Sequence, residues 1–190
     1  MRKLVSFMHM SLDGFAADSN DGLNRFQYND EVEKNAHEMI FQMGATMYGR
    51  VTYEIMKSYW PTAAEQPATS PAEVAYANWV NGVPKYVIST TLESSDWAGT
   101  VIIRGDIAAE INALKQQPGK DIVLLGSPST VRSLAELGLI DAYHVNINPV
   151  VMGHGKPTFA GMDNPPQLKL IDSKTLKGGV IHAVYAPLRG

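Results

Sequence analysis

Three short stretches of this chain combine residue types suited to holding phosphate: Tyr48-Gly49-Arg50-Val51-Thr52, Ile88-Ser89-Thr90-Thr91 and Leu125-Gly126-Ser127-Pro128-Ser129-Thr130. Each passes from an apolar run into small and hydroxyl-bearing residues. A strand that enters a helix through such a turn presents free backbone N–H groups and the positive end of the helix dipole to an anion. It is also an ordinary way to turn a chain. Arg50 adds a planar guanidinium that can grip a phosphate through two donors, and Thr52 and Ser129 add hydroxyls. Read as three strand-to-helix junctions, these stretches suit the phosphates of a dinucleotide, although the G-x-G-x-x-G fingerprint is absent.

Other chemistries find less material. There is no cysteine, which excludes disulfides, thiolate catalysis and cysteine-bound metal. His9, His37, His144, His154 and His182 show no metal-ligand spacing such as H-E-x-x-H, so no metal site is expected. Ser127 lies outside any G-x-S-x-G elbow, so a serine hydrolase has no support.

The elements that must position the junctions follow from hydrophobic periodicity and turn chemistry. Residues 3–10 predict a buried first strand, broken by Ser11-Leu12-Asp13-Gly14-Phe15 and a loop to Gly22. Asn29 or Asp30 caps a helix over about 31–43, whose Val32, Ala36, Met39, Ile40 and Met43 recur at helical spacing. A strand at 45–48 and a helix at 53–58 come next, then a Pro-, Ala- and Thr-rich loop at 59–70, read as an insertion near a site. Pro71 opens a helix to 80, strands follow at 85–89 and 100–104, and Asp106 caps a helix to about 116. A strand at 122–125, an amphipathic helix at 131–137 and a strand after Asp141 complete the alternation. Residues 168–174 and 180–185 flank Lys177-Gly178-Gly179 as a closing hairpin. The pattern predicts an α/β fold with a largely parallel sheet and antiparallel pairing at the C-terminal edge, in one domain over 1–190. In such a sheet the three junctions share the carboxyl edge, where ligands bind.

At 190 residues, with a formal charge of −3 and 45% hydrophobic residues, the chain can bury a sizeable core. Its basic residues are scattered, which points away from nucleic acid and anionic membrane. Arg2 and Lys3 precede an apolar run that His9 interrupts, a pattern read as a strand and not a signal peptide. No run reaches the length of a membrane span, and a cytoplasmic location is expected.

Four motifs in order carry a family resemblance: Ser11-Leu12-Asp13-Gly14, Tyr48-Gly49-Arg50-Val51-Thr52-Tyr53-Glu54, Gly126-Ser127, and Gly138-Leu139-Ile140-Asp141 continuing to Pro149-Val150-Val151-Met152-Gly153-His154-Gly155. Over essentially its whole length the chain resembles the dihydrofolate reductase-like fold and, within it, the C-terminal reductase domain of the bacterial riboflavin enzyme RibD. The resemblance implies NADPH as cofactor and hydride transfer to a pterin-like, pyrimidine-like or riboflavin-precursor substrate, as in dihydrofolate reductase or 5-amino-6-(5-phosphoribosylamino)uracil reductase. Carried over by motif, Gly49, Arg50 and Thr52 would hold phosphates, Ser89 and Thr90 would lie near the adenosine 2′-phosphate, and Gly126, Ser127, Ser129 and Thr130 near the pyrophosphate. Asp13, Gly14 and Phe15 would flank the nicotinamide.

Folate reductases also place an acid at the start of the helix after the first loop. Asp30, Glu31 and Glu33 stand there, and counting back from Gly49-Arg50 favours Glu33. The alternative is an acidic first turn that complements the helix dipole. Asp13 reads equally as a catalytic group and as an Asx-turn residue. Phe15, Met56 and Trp60 read as a substrate wall or as plain core. The related domains imply a homodimer. One departure concerns the cradle: where the family usually has Gly-Gly, this chain has Gly126-Ser127 followed by Pro128. A serine Cβ crowds a backbone approach to pyrophosphate, which leaves open a non-catalytic dinucleotide- or ligand-binding protein on the same fold. The zinc motif of the deaminase that accompanies this domain in bifunctional riboflavin enzymes needs cysteine, and this sequence has none.

Overall fold

The computed structural model describes residues 1–20 and 22–188. In chain order the elements are β1 (Leu4–Ser11), β2 (Phe15–Ala17), α1 (Asp30–Ile40), β3 (Ala45–Gly49), α2 (Arg50–Tyr59), α3 (Pro71–Gly82), β4 (Lys85–Ile88), β5 (Thr100–Ile103), α4 (Ile107–Gln116), β6 (Ile122–Leu125), α5 (Pro128–Glu136), β7 (Ala142–Asn148), β8 (Lys156–Pro157), β9 (Leu168–Thr175) and β10 (Ile181–Pro187). Eight strands form one sheet in the order β5-β4-β3-β6-β1-β7-β10-β9. Pairing is parallel from β5 to β7, and β10 is antiparallel to both β7 and β9. The strands β2 and β8 form a separate antiparallel ribbon.

The centre of the sheet is buried on both faces, as helix-covered parallel strands require. All of Ala45–Gly49 and Ile122–Leu125 is buried. One face carries Leu4, Met47, Ile122 and Leu124 against Ile111 of α4 and Val131 and Leu134 of α5. The other carries Phe7, Tyr48, Val87, Val123 and Leu125 against Ile40 of α1, Tyr53 of α2 and Tyr76 and Val80 of α3. The helix starts are fixed by side chains. Asn29 Oδ1 accepts from Glu31 N and Val32 N, so Asn29 is the cap and Asp30 begins the helix. Ser70 and Glu73 form a reciprocal capping box ahead of Pro71, and Asp106 Oδ1 accepts from Ala109 N.

Three boundaries differ from the sequence reading in ways that matter for the site. The helix expected at 53–58 begins at Arg50, and the one expected at 131–137 begins at Pro128. Helix α2 therefore starts directly on the end of β3, and only Gly126 and Ser127 separate β6 from α5. The stretch after Ile88 is a turn into the 89–99 connection to neighbouring β5 and not a helix start. At the opposite edge of the sheet, Lys115 Nζ and an Asp141 carboxylate oxygen form an ion pair of 2.6 Å that is about 93% buried. Asp141 also accepts from Leu4 N, tying α4, β1 and the start of β7 together.

Candidate cofactor and substrate site

Strand β3 ends in Gly49 and Gly126 directly follows the adjacent parallel strand β6, and the two ends interlock. A Cβ placed on Gly49 would run into Thr130 Oγ1 and stand 3.1 Å from Ser127 Oγ. A Cβ on Gly126 would stand 3.2 Å from Thr52 Cγ2. Each glycine thus admits the first turn of the helix that follows the other strand. The result is a pair of helix N-termini, α2 and α5, side by side at the carboxyl edge.

The donor set at these ends fits a phosphate. Gly49 is extended and no side chain caps α2, so the N–H groups of its first turn are available to a ligand. At α5, Gly126 (φ 63°) and Ser127 (φ 50°) are successive left-handed residues, and Ser127 is the one non-glycine with positive φ among the described residues. Ser127 Oγ lies 3.0 Å from both Ser129 Oγ and Thr130 Oγ1, which concentrates hydroxyls against Gly49. Arg50, exposed at the head of α2, holds Glu54 through its carboxylate oxygens at 3.0 and 2.9 Å. Such an exposed pair contributes little to stability and can reopen.

The third stretch is built differently. Ser89 is buried, and its Oγ accepts from Thr91 N at 3.2 Å and Leu92 N at 2.9 Å. The hydroxyl therefore shapes a turn, while Thr90 beside it is exposed. Arg104, just past β5, donates to the carbonyls of Leu92 and Glu93 and fastens the same turn from outside. Sequence reasoning passed over Arg104; a lone guanidinium ending an apolar strand at the carboxyl edge was the available signal.

Asp13 joins two of the sequence motifs. Its carboxylate accepts from Ser11 Oγ at 2.7 Å, from Met152 N and from Gly153 N at 2.7 Å. Leu12 N donates to Val150 O and Thr158 N to Gly14 O. Gly155 is required here, because a Cβ on it would run into the Ala17 carbonyl. The Ser11–Gly14 turn and the 149–155 turn thus form one clamp beside the β2–β8 ribbon. The Ser11 hydroxyl and the Met152 and Gly153 amides hold the Asp13 carboxyl down to about 2, so it is an anion at neutral pH.

Glu33 lines a cleft of about 620 Å³ between α1 and the start of α3, together with Asp30, Lys34, His37, Phe41 and Pro71. Asp30 and Pro71 open their helices at the carboxyl edge, because each helix runs antiparallel to a neighbouring strand. His37, one turn beyond Glu33, lies 4.9 Å from the Phe41 ring and 5.7 Å from Tyr76, and Tyr76 lies 4.4 Å from Trp60. Burial lowers the His37 pKa, and Glu33 works against that. His37 and Tyr76 were not singled out from the sequence, although the i, i+4 spacing of Glu33 and His37 was visible. Met56 and Trp60 pack against the cluster around Tyr53 and Tyr76, on the α2–α3 side of the sheet. Phe15 lies on β2, paired with Pro157, in the clamp region.

A mostly parallel sheet in this strand order, flanked by helices and closed by an antiparallel hairpin, is the dihydrofolate reductase-like architecture. The model of the RibD C-terminal domain matches residues 2–182, and the chain belongs to that family. It is 31% identical over 184 residues to the uncharacterized protein YyaP of Bacillus subtilis (strain 168), covering 97% of this chain and 94% of YyaP. A putative riboflavin biosynthesis protein from Shewanella sp. PV-4 superposes with a TM-score of 0.73 at 19% identity, over 98% of this chain and 99% of the other. Dihydrofolate reductase from Enterococcus faecalis, complexed with NADP(H), superposes with a TM-score of 0.61 at 11% identity, over 97% and 96% of the two chains.

Proposed function

We propose that this protein is an NADPH-dependent reductase that transfers a hydride to a small pterin-like, pyrimidine-like or riboflavin-precursor substrate. The observation that carries the reading is the interlocked pair of glycine junctions, which sets two helix N-termini and a hydroxyl cluster at one point of the carboxyl edge. Gly49, Arg50 and Thr52 from α2, with Gly126, Ser127, Ser129 and Thr130 from α5, would hold the phosphates there. Arg50 would exchange Glu54 for a phosphate. Ser89 would act by shaping the turn on which Thr90 stands, near the adenosine 2′-phosphate. The bound nicotinamide would supply the hydride.

The chain's own groups would bind, orient and protonate. Glu33 is the acid assigned to protonation, on the wall of the α1–α3 cleft. Asp13, with its oxygens taken by three donors, would hold the rim of the nicotinamide site as a fixed anion and not deliver a proton. Phe15 would border the cofactor from the clamp, and Met56 and Trp60 would set the floor of the substrate site, where Trp60 meets Tyr76 edge-on and His37 stacks on Tyr76. A homodimer, which rests on the family, and a cytoplasmic location, which rests on the sequence pattern, complete the reading.

A second reading, dinucleotide binding without turnover, is favoured by Ser127. It carries a side chain into the cradle at a left-handed position where the family usually has glycine. The two readings separate in one experiment. Consumption of NADPH is followed in the presence of pterins, pyrimidines and riboflavin precursors, for wild type and Glu33→Gln. Turnover that drops about 10²-fold or more in the variant supports the reductase and its acid. Tight NADPH binding with no turnover of any of these substrates supports the binding protein.

A further inference from the structure

Three histidines share one face of the sheet: His9 lies beneath the segment that leads into α1, and His144 and His182 line a cavity with Asn35 and Met39 of α1 itself. His9 of β1 stands opposite Asn146 of β7, and Asn146 stands opposite His182 of β10. Two residues along the strands, His144 stands between Phe7 of β1 and Val184 of β10, and its ring lies 5.4 Å from that of His182. Strand alternation puts all of these on the same side. A single hydrogen bond is made within the row, 2.8 Å between His182 Nδ1 and Asn146 Oδ1. The buried Nδ1 atoms of His9 and His144 and the buried Nδ2 of Asn146 have no hydrogen-bond partner among the described residues.

His9 is covered by residues 22–29. Phe26 stacks on it at 6.3 Å, Tyr28 lies tilted against it at 5.1 Å, and Phe7 meets it edge-on at 5.3 Å. The same segment is fastened by Gln27 N to Asn148 Oδ1 at 2.8 Å and by Asn29 Nδ2 to Lys177 O at 3.1 Å. It then runs straight into α1, the wall that carries Glu33 and His37. The seat of this segment on the sheet is therefore the neutral imidazole of His9 and its aromatic partners.

A proton on His9 would bury a cation there. The charged groups near the row lie on the His144–His182 side, where Lys3, Asp121, Asp141, Asp172 and Lys174 line one cavity with the two rings. From β10 comes His182, from β7 His144 and the amide of Asn146, and from the covering segment Tyr28. From β9 come Lys174, opposite His182, and Asp172, opposite Val184; from α1 the buried polar residue is Asn35. Burial, and then the proximity of His182, hold the His9 pKa at about 4. Burial, then His144 and Lys174, hold His182 at about 4, with Asp172 acting the other way.

We propose that the His9–His144–His182 row is an acid-sensitive latch: neutral, it seats residues 22–29 on the sheet, and protonated, it releases them together with the α1 wall of the cleft. Release lets a histidine regain its ordinary affinity for protons. At pH 5, freeing His9 or His182 favours the open form about 30-fold apiece. The device rests on the row and its cover and does not depend on the reductase reading.

Hydrogen exchange of the intact protein tests it, with protection factors corrected for intrinsic exchange at pH 7.5 and pH 5. The amides of residues 22–29 are expected to lose protection about 30-fold or more at pH 5 while those of β6 keep theirs. His9→Phe, which keeps a ring and removes the titration, is expected to abolish most of that loss. Unchanged protection in wild type, or an equal loss in His9→Phe, overturns the latch. Should His9→Phe fail to fold, the ring titrations of His9 and His182 in wild type decide by NMR. A midpoint coincident with the loss of protection supports the latch, and a midpoint elsewhere overturns it.

Discussion

Gly49 and Gly126 do their work by lacking a side chain where two helix starts meet. Gly49→Ala keeps an ordinary φ, so its cost is steric: the new methyl meets Thr130 Oγ1. We expect Gly49→Ala to destabilise the protein by about 1–3 kcal/mol, the usual range for overpacking, and to weaken NADPH binding, with Thr130→Ala restoring part of the stability. Urea denaturation of the two single variants and the double variant checks this; independent, additive effects would separate the junctions. Arg50→Ala should raise the NADPH dissociation constant several-fold, and an unchanged constant would remove Arg50 from the site. Asp13 contributes through an ionised carboxylate whose folded-state pKa is depressed to about 2. Its stabilisation is therefore present above its ordinary value near 3.8 and is lost as pH falls through about 2. Asp13→Asn, with one acceptor oxygen for its several donors, should lower Tm at neutral pH and flatten the acid limb of the Tm profile below pH 4. An unchanged profile would contradict the clamp. The sequence made Asp13, Gly126 and the 149–155 turn visible, because their residue types are unusual for their positions. That Asp13 and the 149–155 turn bond to each other was not visible, since some 140 residues separate the partners.

The elements were legible wherever local chemistry decides. Pro71 and Asp106 marked two helix starts, and hydrophobic periodicity placed α1 and the strands. The starts of α2 and α5 were read three residues late for different reasons: no side chain caps α2, whose break lies in the backbone at Gly49, whereas the Ser127 cap ahead of Pro128 was read as part of a turn, being held there by left-handed Gly126 and Ser127. The turn after Ile88 was read as a helix start because serine and threonine favour both settings. Here Ser89 turns inward, and the 89–99 connection to β5 is shorter than the dozen or so residues a crossover helix usually takes. At the amino edge, Lys115 and Asp141 form a pair that no spacing rule announces. Asp141→Ala leaves the Lys115 ammonium buried and unpaired, and we expect a loss of about 3–5 kcal/mol. A shift of the urea midpoint at unchanged slope would report it, and a loss under 1 kcal/mol would mean that the pair is hydrated.

Acid response belongs to the molecule as a whole. His9 and His182 have folded-state pKa values lowered from 6.5 to about 4, so between those values the unfolded chain binds more protons than the folded one. Stability should therefore fall as pH drops from about 6.5 to about 4, by roughly 3 kcal/mol per histidine at most. Urea midpoints across that window check it, and a flat profile would contradict the burial of the row. Among the described residues no helix is long and apolar enough to cross a membrane. The edge strand β9 is exposed along nearly its whole length, with Leu170 and Ile171 more than half exposed. That edge is where the proposed homodimer would most economically bury apolar surface, and sedimentation of wild type and Ile171→Lys would test it. A dimer unaffected by the lysine would move the contact elsewhere.

The central claim is that two interlocked helix starts form a dinucleotide cradle. Its most direct measurement is a fluorescence titration of the purified protein with NADPH and, in parallel, with NADH, repeated for Gly126→Ala. The account predicts saturable binding, tighter for NADPH than for NADH, and weakened several-fold in the variant, whose methyl would meet Thr52 at a left-handed backbone position. Binding of neither nucleotide by wild type would contradict it, and would mean that Ser127 and Pro128 close the site.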